Sequence, residues 1–166
     1  MTDPQSHLDS LIEEEKDSLE LLIRHELAMK QLYELFAEGF PDKKTFWKVI
    51  MEEEQKHADH LRDLSAKENI RKWFVTEGRF KRLAIDTSIH YINEQIEQMK
   101  KGNISLIKAF SIAHDLEESL IEKQFISLNM TGPEEVRNVM KGLVADTQRH
   151  RRIISETLNH LKSGTH

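Results

Sequence analysis

Four stretches of this chain repeat apolar residues at steps of three and four. That spacing collects them on one face of an α-helix and scatters them over both faces of a strand. The first stripe reads Leu19, Leu22, Glu26, Met29, Tyr33, Phe36, and the second Phe46, Ile50, Glu54, His57, Leu61, Leu64. The third reads Leu106, Phe110, Ala113, Glu117, Leu120, Gln124, and the fourth Val136, Met140, Leu143, Thr147, His150, Ile154, Leu158. The helices that carry them are expected over about residues 4–37, 42–66, 105–129 and 133–162. Asp3 is placed to cap the first helix, with Pro4 at its first position. Gly39 and Pro41 end that helix, and Gly102-Asn103 precede the third. Thr131-Gly132 precede the fourth, which opens on Pro133-Glu134-Glu135, a strong start signal.

The links set the topology. The first and second helices are joined tightly, as are the third and fourth, so each pair predicts an antiparallel hairpin. Residues 67–103 separate the hairpins, and their second half, about 80–101, reads as a shorter fifth helix. A connection this long lets the third helix run parallel to the second. The expectation is a single all-α domain over residues 1–166: an antiparallel four-helix bundle with one long crossover. Only 6 Gly and 3 Pro against 32% charged residues favour long helices over sheet. The aromatic crossover segment Trp73-Phe74-Val75 and the residues Ile89, Tyr91 and Ile92 are expected to cover the open side of the bundle, and Met29, Met51 and Met140 to fill its core.

The chain has no cysteine, which excludes disulfides, thiolate zinc sites and iron–sulfur clusters built from its own residues. A formal net charge of −5 argues against a nucleic-acid partner, which wants a basic face. The start Met1-Thr2-Asp3-Pro4-Gln5 lacks the pattern of a secretory signal. No apolar run approaches the ~20 residues of a membrane span. A cytoplasmic protein without membrane or nucleic-acid partners is the expectation.

Each stripe carries polar residues near its middle, where the core should be: Glu26, then Glu54 with His57, then Glu117, then Thr147 with His150. Carboxylates converging in a core cost several kcal/mol apiece unless counter-charge joins them. Divalent ions of the iron, manganese or zinc type provide it and accept both carboxylate oxygen and imidazole nitrogen. Glu54-x-x-His57 sets both heads on one face. In a chain with 29 acids that motif alone is nearly uninformative. Its register with the stripe and its echo elsewhere give it weight: Glu26 to Glu117 spans 91 positions, and His57 to His150 spans 93, which suggests an internal repeat of two hairpins. His7, His25, His60, His90, His114, His160 and His166 fall off the stripes or near ends and read as solvated.

These residues resemble the rubrerythrin branch of the ferritin-like superfamily, in which two helices give one Glu each and two give Glu-x-x-His. Glu26 with Tyr33, the run Glu52-Glu53-Glu54-Gln55-Lys56-His57-Ala58, and Ala113-His114-Asp115-Leu116-Glu117 carry the likeness, over about residues 15–65 and 104–160. Glu118 is the poorer match, being off the stripe. The resemblance implies a ferritin-like fold, often paired as a homodimer. It implies a di-iron centre handling peroxide, oxygen or iron redox chemistry, and an external electron donor, since a rubredoxin domain is missing. It assigns Glu26 and His57 to one metal, Glu117 and His150 to the other, and the bridge to Glu54. Thr147 stands where the family has a second bridging Glu, so one ion is expected to be favoured over two, held by the Glu26 and His57 half. Asp146, four residues before His150, is the candidate replacement ligand. The alternative is a non-enzymatic helical bundle with a degenerate metal site, acting through protein–protein contacts.

Overall fold

In the computed structural model, residues 3–76, 82–119 and 130–164 are described, except for the side chains of 11–18 and 75–76. Helix α1 spans Pro4–Gly39. A single 3-10 turn over Pro41–Lys43 leads into α2, Lys44–Ser65. Then follow α3, Glu68–Thr76, and α4, Arg82–Lys100. Helix α5 covers Leu106–Glu117 and α6 covers Glu134–Lys162. No strand occurs among the described residues, and no helix among them is long and apolar enough to cross a membrane. Asp3 caps α1 as its sequence suggested, its side chain accepting from the Gln5 N–H, with Pro4 in the first turn.

The apolar stripes bury as their spacing requires. Every stripe residue of α1 and α6 is buried; Phe46 and Leu106, at the outer ends of α2 and α5, are half-buried. The core falls into two clusters. One holds Met29, Tyr33 and Phe36 of α1, Trp47 and Ile50 of α2, Phe110 and Ala113 of α5, and Ile154 and Leu158 of α6. The other holds Leu19 and Leu22 of α1, Leu61 and Leu64 of α2, and Val136, Met140 and Leu143 of α6. These memberships give the helix directions. Helices α1 and α6 run from the second cluster to the first; α2 runs from the first to the second. Helix α5 starts in the first cluster, so it is parallel to α2.

The long link makes that arrangement possible. Helix α4 places Ile85 in the second cluster and Ile92 and Ile96 in the first, so it carries the chain back along α1 to the end where α5 begins. It ends in a tight reversal. The Asn103 N–H bonds to the Gln98 carbonyl at 3.0 Å and the Gly102 N–H to Met99 at 3.0 Å. Gly102 has φ of +73°, a left-handed conformation that other residues adopt only at a cost.

Two expectations need correction. The crossover holds a helix the sequence reading did not foresee, α3, whose Ile70 and Phe74, one turn apart, bury in the second cluster. The third bundle helix does not run unbroken from 105 to 129. It stops at Glu117: the Glu118 N–H still makes a helical bond to the His114 carbonyl, but the Ser119 N–H turns back onto the Leu116 carbonyl at 3.1 Å and tightens the last turn. The rest of that expected helix, with Leu120 and Gln124, lies outside the described residues. The expected covering role of the crossover holds for Phe74 and Ile92, both fully buried, with Trp73 half-buried beside them; Val75 lies outside the described side chains.

Candidate metal centre

Between the two apolar clusters lies a polar layer, because each stripe carries its ionisable residues at the same height. Glu26, Glu54, His57, Glu117 and His150 are all at most 3% exposed, and their heads converge. They form two groups with metal-ligand spacing: Glu26, Glu54 and His57 in one, and Glu54, Glu117 and His150 in the other. Glu54 belongs to both. Its Oε2 lies 3.2 Å from His57 Nδ1 and its Oε1 lies 3.3 Å from His150 Nδ1. Glu26 Oε2 approaches His57 Nδ1 to 3.5 Å, and Glu117 Oε1 approaches His150 Nδ1 to 3.5 Å. The imidazoles face each other with ring centroids 6.1 Å apart.

Both inner nitrogens are Nδ1, so both Nε2 atoms point outward, and each meets a carboxylate. His57 Nε2 bonds Asp146 Oδ2 at 2.9 Å, and His150 Nε2 bonds Glu53 Oε2 at 2.5 Å. Arg149 Nη2 donates to both of those acids, at 2.5 Å to Glu53 Oε1 and 3.0 Å to Asp146 Oδ1. Tyr33 donates its hydroxyl hydrogen to Glu117 Oε1 at 2.9 Å and stacks on Trp47.

The five residues read from the stripes are therefore brought together, while Asp146 takes a different place from the one its sequence position suggested. It stands outside both groups, on the far side of His57. Thr147 is buried at the level of the site. The two halves nevertheless have equal donor sets, two carboxylates and one imidazole each. Glu118 stays half-exposed and pairs with Arg151 at 3.0 Å, leaving the inward position to Glu117.

Sequence reasoning missed Glu53, Arg149 and His25. His25 is fully buried, against its reading as solvated. Its Nε2 pairs with Ser88 Oγ of α4 at 2.7 Å, a partner no periodicity within α1 could reveal. A signal for Glu53 did exist: it lies 93 positions before Asp146, the same offset that relates His57 to His150.

The charges follow from the packing. Burial opposes an imidazolium, yet Glu54 and Glu26 around His57 push its pKa up to about 12. Glu117 and Glu54 likewise push His150 up to about 11 against its burial. Burial, together with the Glu26 and Glu117 charges, raises Glu54 to about 7. Burial also works against charge on Glu53 and Asp146. Hydrogen bonds from Arg149 and His150 outweigh it at Glu53, those from His57 and Arg149 at Asp146, and both carboxyls stay below the ordinary range. With no metal, the two histidines held as imidazolium ions offset part of the charge of the buried acids.

That substitution leaves atoms over. Glu26 Oε1 and Oε2, Glu117 Oε2 and His150 Nδ1 are buried without a hydrogen-bond partner. Buried polar atoms without partners are uncommon, and an ion is one of the ordinary reasons for a group of them. The donor set, carboxylate oxygens with neutral imidazole, fits ions of the iron, manganese or zinc type. Comparisons with protein-family models, with curated proteins and with solved structures find no match for this chain.

Proposed function

We propose that this chain is a ferritin-like protein whose buried carboxylate–histidine layer holds two divalent transition-metal ions and carries out oxygen, peroxide or iron redox chemistry. The observation that carries the reading is the sharing of Glu54, whose two oxygens each face one histidine across two otherwise separate donor sets. Glu26 and His57 complete one set, Glu117 and His150 the other. The helix order supports the fold part of the reading, with α4 returning the chain so that α5 lies parallel to α2.

Two such ions supply Lewis acidity and, for iron or manganese, one-electron redox change. The chain's own residues do the rest. Glu54 keeps the two positions adjacent. The outward Nε2–H groups, held by Asp146 and Glu53, fix both imidazoles with Nδ1 inward. Tyr33 keeps a proton on its hydroxyl oxygen, donated to Glu117. Apolar layers above and below exclude bulk water, which strengthens every charge interaction within. Electrons would come from an external donor.

Metal that binds only the folded chain stabilises it by mass action, about 2.7 kcal/mol at a hundredfold excess over Kd. Removing metal with a chelator should therefore lower the melting temperature by several degrees. His57→Ala should remove about half of the difference between loaded and stripped protein, and Glu54→Ala most of it. Identical melting curves for the two forms of the wild type would remove the basis for the proposal. Redox function is tested separately, by following oxidation of ferrous iron on anaerobically loaded protein after adding dioxygen or peroxide. A rate no faster than that of free iron in the same buffer rules the activity out.

A further inference from the structure

The offset that relates the two histidines also relates Glu54 to Thr147. His57 and His150 lie 93 positions apart, and so do Glu54 and Thr147. Each stands three residues before the histidine of its own helix, on the same buried stripe, and Thr147 is only 7% exposed. In a repeat of two hairpins, Thr147 therefore occupies the place that mirrors Glu54 across the polar layer. Beyond the γ position a glutamate carries one carbon and two oxygens, which are the heavy atoms of formate. A threonine stops at the γ position. The mirrored place is short of one carboxylate group.

We propose that this place takes a small carboxylate anion from solution, of formate or acetate size, and that the anion bridges the two ions opposite Glu54. The inference rests on the two-ion reading above and names the class of ligand that its open face accepts. Coordination supports it. Each donor set offers one imidazole and two carboxylates, so a zinc ion held by one oxygen of each carboxylate has three protein ligands and an open fourth position. A single carboxylate with one oxygen on each ion closes both positions. Charge supports it as well. Glu26, Glu54 and Glu117 bring three negative charges to two divalent ions, which leaves one positive charge in a layer whose residues are at most 3% exposed. Glu53, Asp146 and Arg149 together carry one negative charge, but they are 20% to 40% exposed, where solvent screens them. A monoanion inside the layer balances the charge where it arises.

The test is a titration of stripped protein with zinc against a chromogenic chelator, with and without formate, the chelator being calibrated at each formate concentration. Saturating formate should tighten zinc by roughly tenfold, and by linkage zinc-loaded protein should bind formate where stripped protein does not. Thr147→Glu supplies the carboxylate from the chain, so it should hold two zinc ions tightly and ignore formate. Thr147→Leu fills the same space without charge and should also lose the response, which keeps the test open if Thr147→Glu folds badly. Thr147→Ser leaves the space open and should keep the response. Wild type that binds two zinc ions equally well with and without formate or acetate overturns this inference and leaves the two-ion reading standing. A response that persists in Thr147→Glu or Thr147→Leu, or vanishes in Thr147→Ser, overturns the placement at Thr147. Wild type that binds no zinc overturns the two-ion reading and this inference with it.

Discussion

Stripped protein is expected to lose stability steadily as pH rises from 7 to 9, and metal-loaded protein is not. In the unfolded chain the imidazoles of His57 and His150 release their protons near pH 6.5; in the folded chain the surrounding carboxylates hold them to about 12 and about 11. The folded state then binds two protons that the unfolded state has given up. Stability from this source is complete below pH 6.5 and falls as pH climbs toward the folded values. Each group contributes a slope of about 1.4 kcal/mol per pH unit, so two groups over two units amount to roughly 5 kcal/mol, a large share of an ordinary domain's stability. Glu54 acts with the same sign one window lower, since its folded pKa of about 7 exceeds the ordinary 4.5. Metal should reverse the relation, because ions held by these histidines would displace their protons, so metal affinity should grow with pH. Thermal melts in chelator between pH 5 and 9 read the slope directly. A melting temperature that is flat or rising from pH 7 to 9 would mean that the histidines are neutral in the stripped fold.

Replacing the shared carboxylate should do more damage than replacing either of its neighbours. Glu54→Gln keeps the volume and removes the negative charge, and it turns one of the two facing oxygens into an amide nitrogen that donates hydrogen bonds. Both halves depend on that carboxylate, so both ions should be weakened together by two orders of magnitude or more. Glu26→Gln and Glu117→Gln should each weaken one ion and spare the other. Competition titrations on the three variants separate the cases. If Glu54→Gln loses a single ion and holds the second as tightly as wild type, Glu54 is not shared, and the two donor sets are independent sites.

Much of this was legible from periodicity alone. Glu26, Glu54, His57, Glu117 and His150 interrupt apolar stripes in register, and residues on a buried stripe have nowhere to point except the core. The long link between Ser65 and Leu106 announced a return helix, since a chain leaving α2 at one end must travel the bundle to start α5 at the other. What stayed hidden depends on contacts between helices. Asp146 read as a partner of His150 because the two share a helix face, but helix packing delivers it to His57 across the seam. Glu53 and Arg149 lie one residue off their stripes, at the edge of the buried face, where sequence does not distinguish a solvated charge from a braced one. His25 looked exposed because α1 alone does not reveal that α4 covers it. Helix α5 stops short through local backbone hydrogen bonds that the continuing apolar pattern did not announce.

The most direct test is a metal count. Protein stripped by chelation is loaded anaerobically with ferrous iron, and in parallel with manganese or zinc. It is then desalted and analysed for metal and protein together. Two ions per chain are expected from at least one of these metals, falling to one for Glu26→Ala and to none for Glu54→Ala. Wild-type protein that retains no ion of any of the three, or variants that retain as many as wild type, would contradict the assignment of this buried layer as a two-ion centre.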